Sequence, residues 1–218
     1  FGVEGIRDIL KEYDSPIFIG PVKPCVGLTP KQFAGTAYSV LKGGFHIVKD
    51  DELLVETKYS PFRERIKETM RIVRKAEDET NRKKMYFAHI GGDLTNMQNY
   101  YKIAEEEGVD GVMVSPAING LDSIKWINGN IPIIAHNTLL YASSRHPKFG
   151  VQFHIWQTLQ RICGADIILN PAPFGSFHIM DFDEHQQNVN ACLGKLENFK
   201  SVFPAFSGSQ SPRSLKAH

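Results

Sequence analysis

The chain has 218 residues, of which 42% are apolar and 22% charged, and its formal net charge is +1. This composition excludes a disordered or fibrous protein, and a polyanion partner is not expected, because the basic stretch at 63–74 is interleaved with acidic residues as on a solvated helix face. No apolar run reaches the roughly 20 residues that cross a bilayer, and three widely spaced cysteines, Cys25, Cys163 and Cys192, suit a reducing, cytoplasmic setting rather than a disulfide framework.

Apolar β-rich runs alternate with helical-period segments along the whole chain. A first strand is expected at 17–22, followed by a helix that opens on Thr29-Pro30 and turns Phe33, Ala37, Val40 and Leu41 inward. Gly43-Gly44 stops it, and a second strand runs over 45–49. Ser60-Pro61 starts the next helix, with Ile66, Met70 and Val73 at helical spacing. A third strand follows at 85–90, then a helix carrying Leu94, Met97, Tyr101 and Ala104. The turn Gly108-Val109-Asp110 leads into a fourth strand at 111–115, a short helix at 121–127 and a fifth strand at 131–135. A helix with Ile155, Leu159 and Ile162 as its apolar stripe comes next. The turn Gly164-Ala165-Asp166 then leads into a sixth strand at 166–169, and after a helix at 182–193 a seventh covers 201–206.

Seven strands with helical crossovers imply a parallel sheet covered by helices, and the fold expected is an incomplete (β/α)8 TIM barrel filling residues 1–218 as one domain. A doubly wound open sheet is the alternative, but Lys23-Pro24-Cys25-Val26-Gly27 makes a poor glycine-rich phosphate loop. In a barrel the C-terminal strand ends form the catalytic face. Those ends carry Lys23, Lys49 with Asp50, Asp51 and Glu52, His89, Ser115, His136 with Asn137, Asn170 and Ser207.

The densest of these groups is Lys49-Asp50-Asp51-Glu52, a cation and three carboxylates whose burial is costly without partners. Asp51 and Glu52 suit a hard cation such as Mg2+, and a lysine that has added CO2 becomes a further anionic oxygen donor. The plain alternative is a Lys–Asp ion pair beside a solvated loop. Lys23 is a general base if burial or a neighbouring cation lowers its pKa, and otherwise a surface lysine. His136 suits proton transfer or a phosphate, with a satisfied structural histidine as the plain alternative; His46 and His89 fit strand alternation and read more strongly as structural. The small-residue run from Ser207-Gly208 to Ser211 can offer N–H groups to an anion, and is equally an ordinary turn.

Together these residues resemble the barrel of the RuBisCO large-subunit family. Phe1-Gly-Val-x-Gly-Ile-Arg7 is similar to the entry to that barrel, and Val22-Lys23-Pro24-x-x-Gly27-Leu28 to its first strand and turn. Gly43-Gly44-x-x-x-x-Lys49-Asp50-Asp51-Glu52 is similar to its activation motif, and Ser207-Gly208 to its seventh-strand loop. The resemblance implies Mg2+ held by carbamylated Lys49, Asp51 and Glu52, proton transfer by Lys23, and a substrate phosphate near His136. It also implies a dimer in which a partner's N-terminal domain completes the site, and an eighth strand that this chain does not show.

The sequence departs from the carboxylase pattern at Cys25, in place of the second lysine of Lys-Pro-Lys, at Pro21, at His46, and at Asn137, where the carboxylase has a phosphate-binding arginine. The sixth-strand loop from Asn170 to Ser176 carries no lysine. The pattern is similar to the RuBisCO-like proteins, or form IV, and closest to the photosynthetic-bacterial group. It implies enolisation or isomerisation of a phosphorylated ketose, of methionine-salvage or sugar-acid phosphate type, rather than CO2 fixation. A true carboxylase and a non-catalytic stress-response or regulatory protein on the same scaffold are the alternatives.

Overall fold

The computed structural model of the protein describes residues 1–127, 130–173, 181–208 and 210–211. Among them are seven strands in the order β1 to β7, which is also their order along the chain. The recorded pairings of neighbouring strands are parallel. The α/β class expected from the alternation of strands and helices is therefore the observed one. No helix among the described residues is long and apolar enough to cross a membrane. The chain comprises two compact units, Glu4–Val114 with Gly129–Ile133, and Phe1–Val3 with Ser115–Asn128 and Ile134–His218.

In the unit built on Glu4–Val114, β1 (Ile19–Pro21), β2 (Ile47–Lys49), β3 (Met85–His89) and β4 (Gly111–Val114) are joined by α2 (Pro30–Lys42), α3 (Phe62–Thr80) and α4 (Leu94–Glu106). An N-terminal helix, α1 (Gly2–Leu10), precedes them and was not expected. The Thr29-Pro30 start of α2 is a full capping box, with Thr29 bonded to the Gln32 N–H and Gln32 bonded back to Thr29. Strand β3 is buried at every position, as in a parallel sheet covered on both faces. In these four strands the ladder is shorter than the expected run, and β2 begins at Ile47 rather than Phe45.

Register places Lys49 beside Phe87 and Phe87 beside Gly111. The Phe87 ring occupies the space that a Cβ on Gly111 would need. Gly111→Ala is therefore expected to cost about 1–3 kcal/mol by overpacking a rigid aromatic neighbour, read as a lower denaturant midpoint.

The other unit contains α5 (Pro116–Asn119), α6 (Asp122–Ile127), α7 (Leu140–Ser144), α8 (Phe153–Cys163), α9 (Phe182–Leu193), β6 (Ile167–Pro171) and β7 (Phe203–Ser207), with β5 (Ile133–Ala135) belonging to it from Ile134 onward. Helix α8 corrects the sequence reading. Ile155, Leu159 and Ile162 are exposed, whereas Phe153, Gln157, Gln160 and Arg161 are buried. The buried face is held by polar pairing. The Arg161 guanidinium donates to the carbonyls of Lys200, Ala191, Gly194 and Phe199 at 2.7–3.1 Å, collecting acceptors in the last turn of α9 and beyond it. Gln157 pairs with Asn170, and Gln160 with Asn137.

Candidate active site

Strand β2 delivers Lys49 to its C-terminal end with only 5% of the residue exposed, and the next two residues, Asp50 and Asp51, are also buried. Alternation sends Asp50 to the opposite face from Lys49. There its Oδ1 accepts the Tyr86 hydroxyl at 2.6 Å and its Oδ2 accepts the His89 N–H at 3.0 Å. Arg65 from α3 is fully buried, donates to the Ser60 carbonyl at 3.0 Å, and brings Nη2 to 3.6 Å from Asp50 Oδ2, an ion pair rather than a hydrogen bond. Burial opposes the guanidinium charge, but Asp50, Tyr86 and Glu56 together outweigh it, holding Arg65 above its ordinary range. The acidic motif is thus locked from behind by a buried ion pair.

On the other side of the motif, Lys49 Nζ donates to the Asp50 carbonyl at 2.9 Å and lies 3.7 Å from Glu52 Oε2. Burial pulls its pKa below the usual lysine range, against the pull of Glu52, Asp51 and Asp50. Asp51 takes Lys23 on one oxygen and the Leu53 N–H on the other, the latter at 3.0 Å. Burial opposes ionisation of Asp51, but Lys23 and that N–H keep it below the usual carboxylate range.

Lys23 also lies 3.1 Å from Cys25 Sγ. Its expected depression is overturned: burial lowers the pKa, but the bonds to Asp51 and Cys25 raise it by more, so Lys23 sits above the usual range. The pairing with Asp51 therefore favours the charged form of Lys23. Lys23, Lys49, Asp51 and Glu52 thus come together as expected from the sequence.

The remaining candidates lie in the second unit. His136, at the end of β5, has Nδ1 2.6 Å from Thr138 Oγ1. Ser207 ends β7, exposed, with Oγ donating to the Asn170 carbonyl at 3.2 Å, and Gly208 follows at φ +101°. Asn137, expected at a phosphate, is buried; it donates to the Leu169 carbonyl and accepts Gln160 Nε2 at 2.8 Å. Its side chain is engaged at both ends in scaffold bonds. Ser115 and Asn170 are buried, and Asn170 belongs to the same carboxamide network. In the sixth-strand loop, residues 174–176 lie outside the described residues.

His46 is structural, as its alternation suggested. Its Nδ1 accepts the Phe18 N–H at 3.1 Å, and Nε2 lies 3.6 Å from Glu12. Sequence reasoning missed Arg65 and gave His89 no more than a place in the strand. The signal for Arg65 was present: an arginine in the buried stripe of a helix needs an anion, and Asp50 was the acidic residue pointing away from the cluster.

Among the described residues no group of three or more His, Cys, Asp and Glu is placed to hold a metal. The carboxylates of Asp51 and Glu52 need another donor, and the structure offers the buried Lys49 amine, whose lowered pKa favours the neutral form, the form able to attack CO2. A carbamate there would supply anionic oxygen beside two carboxylates, a set that would suit Mg2+. The residues fit the group.

Repeated parallel βα units with a lysine and paired carboxylates at a strand end define an α/β protein of the barrel class. The family profile of the ribulose bisphosphate carboxylase large chain, catalytic domain, matches residues 2–206, and the chain belongs to that family. It is 33% identical over 218 residues to a ribulose bisphosphate carboxylase-like protein of Chlorobaculum tepidum, covering 99% of this chain and 50% of the relative. It superposes with a TM-score of 0.94 and 26% identity on the octameric ribulose-1,5-bisphosphate carboxylase/oxygenase of Pyrococcus horikoshii, covering all of this chain and 52% of that one. A RuBisCO-like protein (MtnW) of Alicyclobacillus acidocaldarius gives 0.91 and 25%, covering 100% of this chain and 55% of that one. The expected barrel fold is therefore the family's, here with seven strands among the described residues. The chain spans about half the length of the relatives it matches.

Proposed function

We propose that this chain is the barrel portion of a RuBisCO-like enzyme that enolises or isomerises a phosphorylated ketose, of the methionine-salvage or sugar-acid phosphate type, without fixing CO2. The observation that carries the reading is the cluster in which buried Lys49 lies against Glu52 while Asp51 holds Lys23. Lys49 as its carbamate, Asp51 and Glu52 hold Mg2+, which when bound polarises a substrate carbonyl. Lys23 moves the proton next to that carbonyl, and its pKa falls toward base range only as Asp51 is drawn away from it. His136, Ser207 and Gly208 receive a phosphate. Asn137 supports them from behind, because its amide is already committed to Leu169 and Gln160.

Two features favour chemistry that stops before CO2 addition. Asn137 stands where the resemblance calls for an arginine, and the chain has no lysine between Lys148 and Lys195, a span that includes the loop after β6. The whole protein acts as a cytoplasmic homodimer or larger oligomer in which the partner's N-terminal domain completes the site.

Deuterium uptake beside the carbonyl of candidate ketose phosphates tests the reading. The assembled full-length protein is expected to catalyse uptake only when Mg2+ and bicarbonate are both present. No uptake across a broad panel favours a non-catalytic role for the scaffold. Incorporation of labelled CO2 into ribulose bisphosphate favours a carboxylase.

A further inference from the structure

His89 ends β3, and two of its groups bracket the turn that carries Asp51 and Glu52. Before the turn, its backbone N–H donates to Asp50 Oδ2 at 3.0 Å. After the turn, its ring Nδ1 lies 3.2 Å from the Leu54 carbonyl. A carbonyl only accepts, so Nδ1 carries the hydrogen and the tautomer is fixed. Nε2 is left as a buried acceptor without a hydrogen-bond partner, facing Gly91, where any Cβ would collide with the ring.

The carboxylates of the turn pair with Lys23 and Lys49, and its backbone is held by separate bonds. Leu54 N–H closes it onto the Asp51 carbonyl at 3.0 Å, and Leu53 N–H bonds Asp51 Oδ1 at 3.0 Å. Leu53 is mostly exposed, and Leu54, at 3% exposure, is the apolar anchor. Fixing the Leu54 carbonyl therefore fixes the direction in which the Asp51 and Glu52 carboxylates leave the strand.

We propose that His89 is a positioning residue for the Asp51–Glu52 pair, acting through the Nδ1–H bond to the Leu54 carbonyl. This rests on the reading of Lys49, Asp51 and Glu52 as a cation site. In such sites the hydrogen bonds that orient the ligands govern affinity by about 10–100-fold. The strand-end clamp also explains why a histidine occupies a buried position with one nitrogen unused.

The test compares His89→Ala, His89→Asn and His89→Gln in the assembled full-length protein. Mn2+ affinity is measured by the resonance of free Mn2+ in 13C-bicarbonate, with the Lys49 carbamate followed by its 13C signal. The asparagine amide reaches the place of Nδ1, and the glutamine amide that of Nε2. Alanine is expected to weaken Mn2+ binding about 10–100-fold, asparagine to restore most of it and glutamine not to. Wild-type affinity in H89A, or rescue by glutamine instead of asparagine, overturns the proposal. Should H89A fail to fold, the asparagine–glutamine comparison decides alone.

If wild type forms no carbamate and binds no Mn2+, the cation reading has failed and the clamp is judged by amide exchange. H89Q then raises exchange at the Leu53 and Leu54 N–H groups about tenfold over H89N if the clamp holds the turn, and equal exchange overturns it.

Discussion

Lys49→Met abolishes bicarbonate-dependent Mg2+ binding and lowers proton-exchange activity by roughly 10³-fold or more, while the protein unfolds no more easily than wild type. The activity loss follows from the several kcal/mol that a polarising cation contributes at a carbonyl, each 1.36 kcal/mol being tenfold in rate. Stability is expected to hold because the Lys49 amine is buried beside a single good acceptor, the Asp50 carbonyl, and its pKa is pulled down chiefly by that burial. Methionine fills a similar volume without the desolvation cost.

A pH signature accompanies this variant. The folded pKa of Lys49 lies below its unfolded value, so between the two the unfolded chain binds a proton that the native chain does not. By linkage, this group makes stability rise with pH across that window, and below it the contribution is a constant penalty. Lys49→Met removes the slope. The neutral amine grows over the same rise in pH, so at fixed dissolved CO2 the Mg2+ affinity of wild type increases with pH. Calorimetric titration at several pH values checks both signs. Unchanged Mg2+ binding in Lys49→Met would remove the carbamate from the site.

The site was legible where its chemistry is local. Lys49-Asp50-Asp51-Glu52 sits at one strand end, so residue types and period two placed Lys49, Asp51 and Glu52 together without any tertiary information. What the sequence did not disclose is which charges meet across elements. Lys23 read as a base until Asp51 proved to be its partner, which moves its pKa the other way. Helix α8 failed for a related reason: periodicity counts apolar side chains, whereas its inner face is carboxamides and a guanidinium satisfied by carbonyls and by Asn137 and Asn170. The order of strands and crossovers was readable because parallel strands buried on both faces become continuous apolar runs. Strand ends were not: β1 to β4 stop short of their apolar runs, whereas β6 and β7 pair on through Asn170-Pro171 and Ser207, past where apolarity ends.

Arg65→Met is expected to destabilise the protein by roughly 3–5 kcal/mol, the cost of stranding the buried Asp50 carboxylate. Arg65 is fully buried, and Asp50 would keep only Tyr86 and the His89 N–H for its charge. The double variant Asp50→Asn with Arg65→Met removes both charges and recovers most of that loss, since a neutral buried amide keeps its hydrogen bonds and a thioether packs where the guanidinium lay over Phe62. The function readout runs the other way. Asp50 directs the strand end from which Lys49 and Asp51 depart, so the double variant, though restored in denaturant midpoint, is expected to remain at least about tenfold weaker for Mg2+. If the double variant unfolds as easily as Arg65→Met alone, the ion pair at 3.6 Å is not what holds the motif, and the Arg65 bond to the Ser60 carbonyl carries the stability instead.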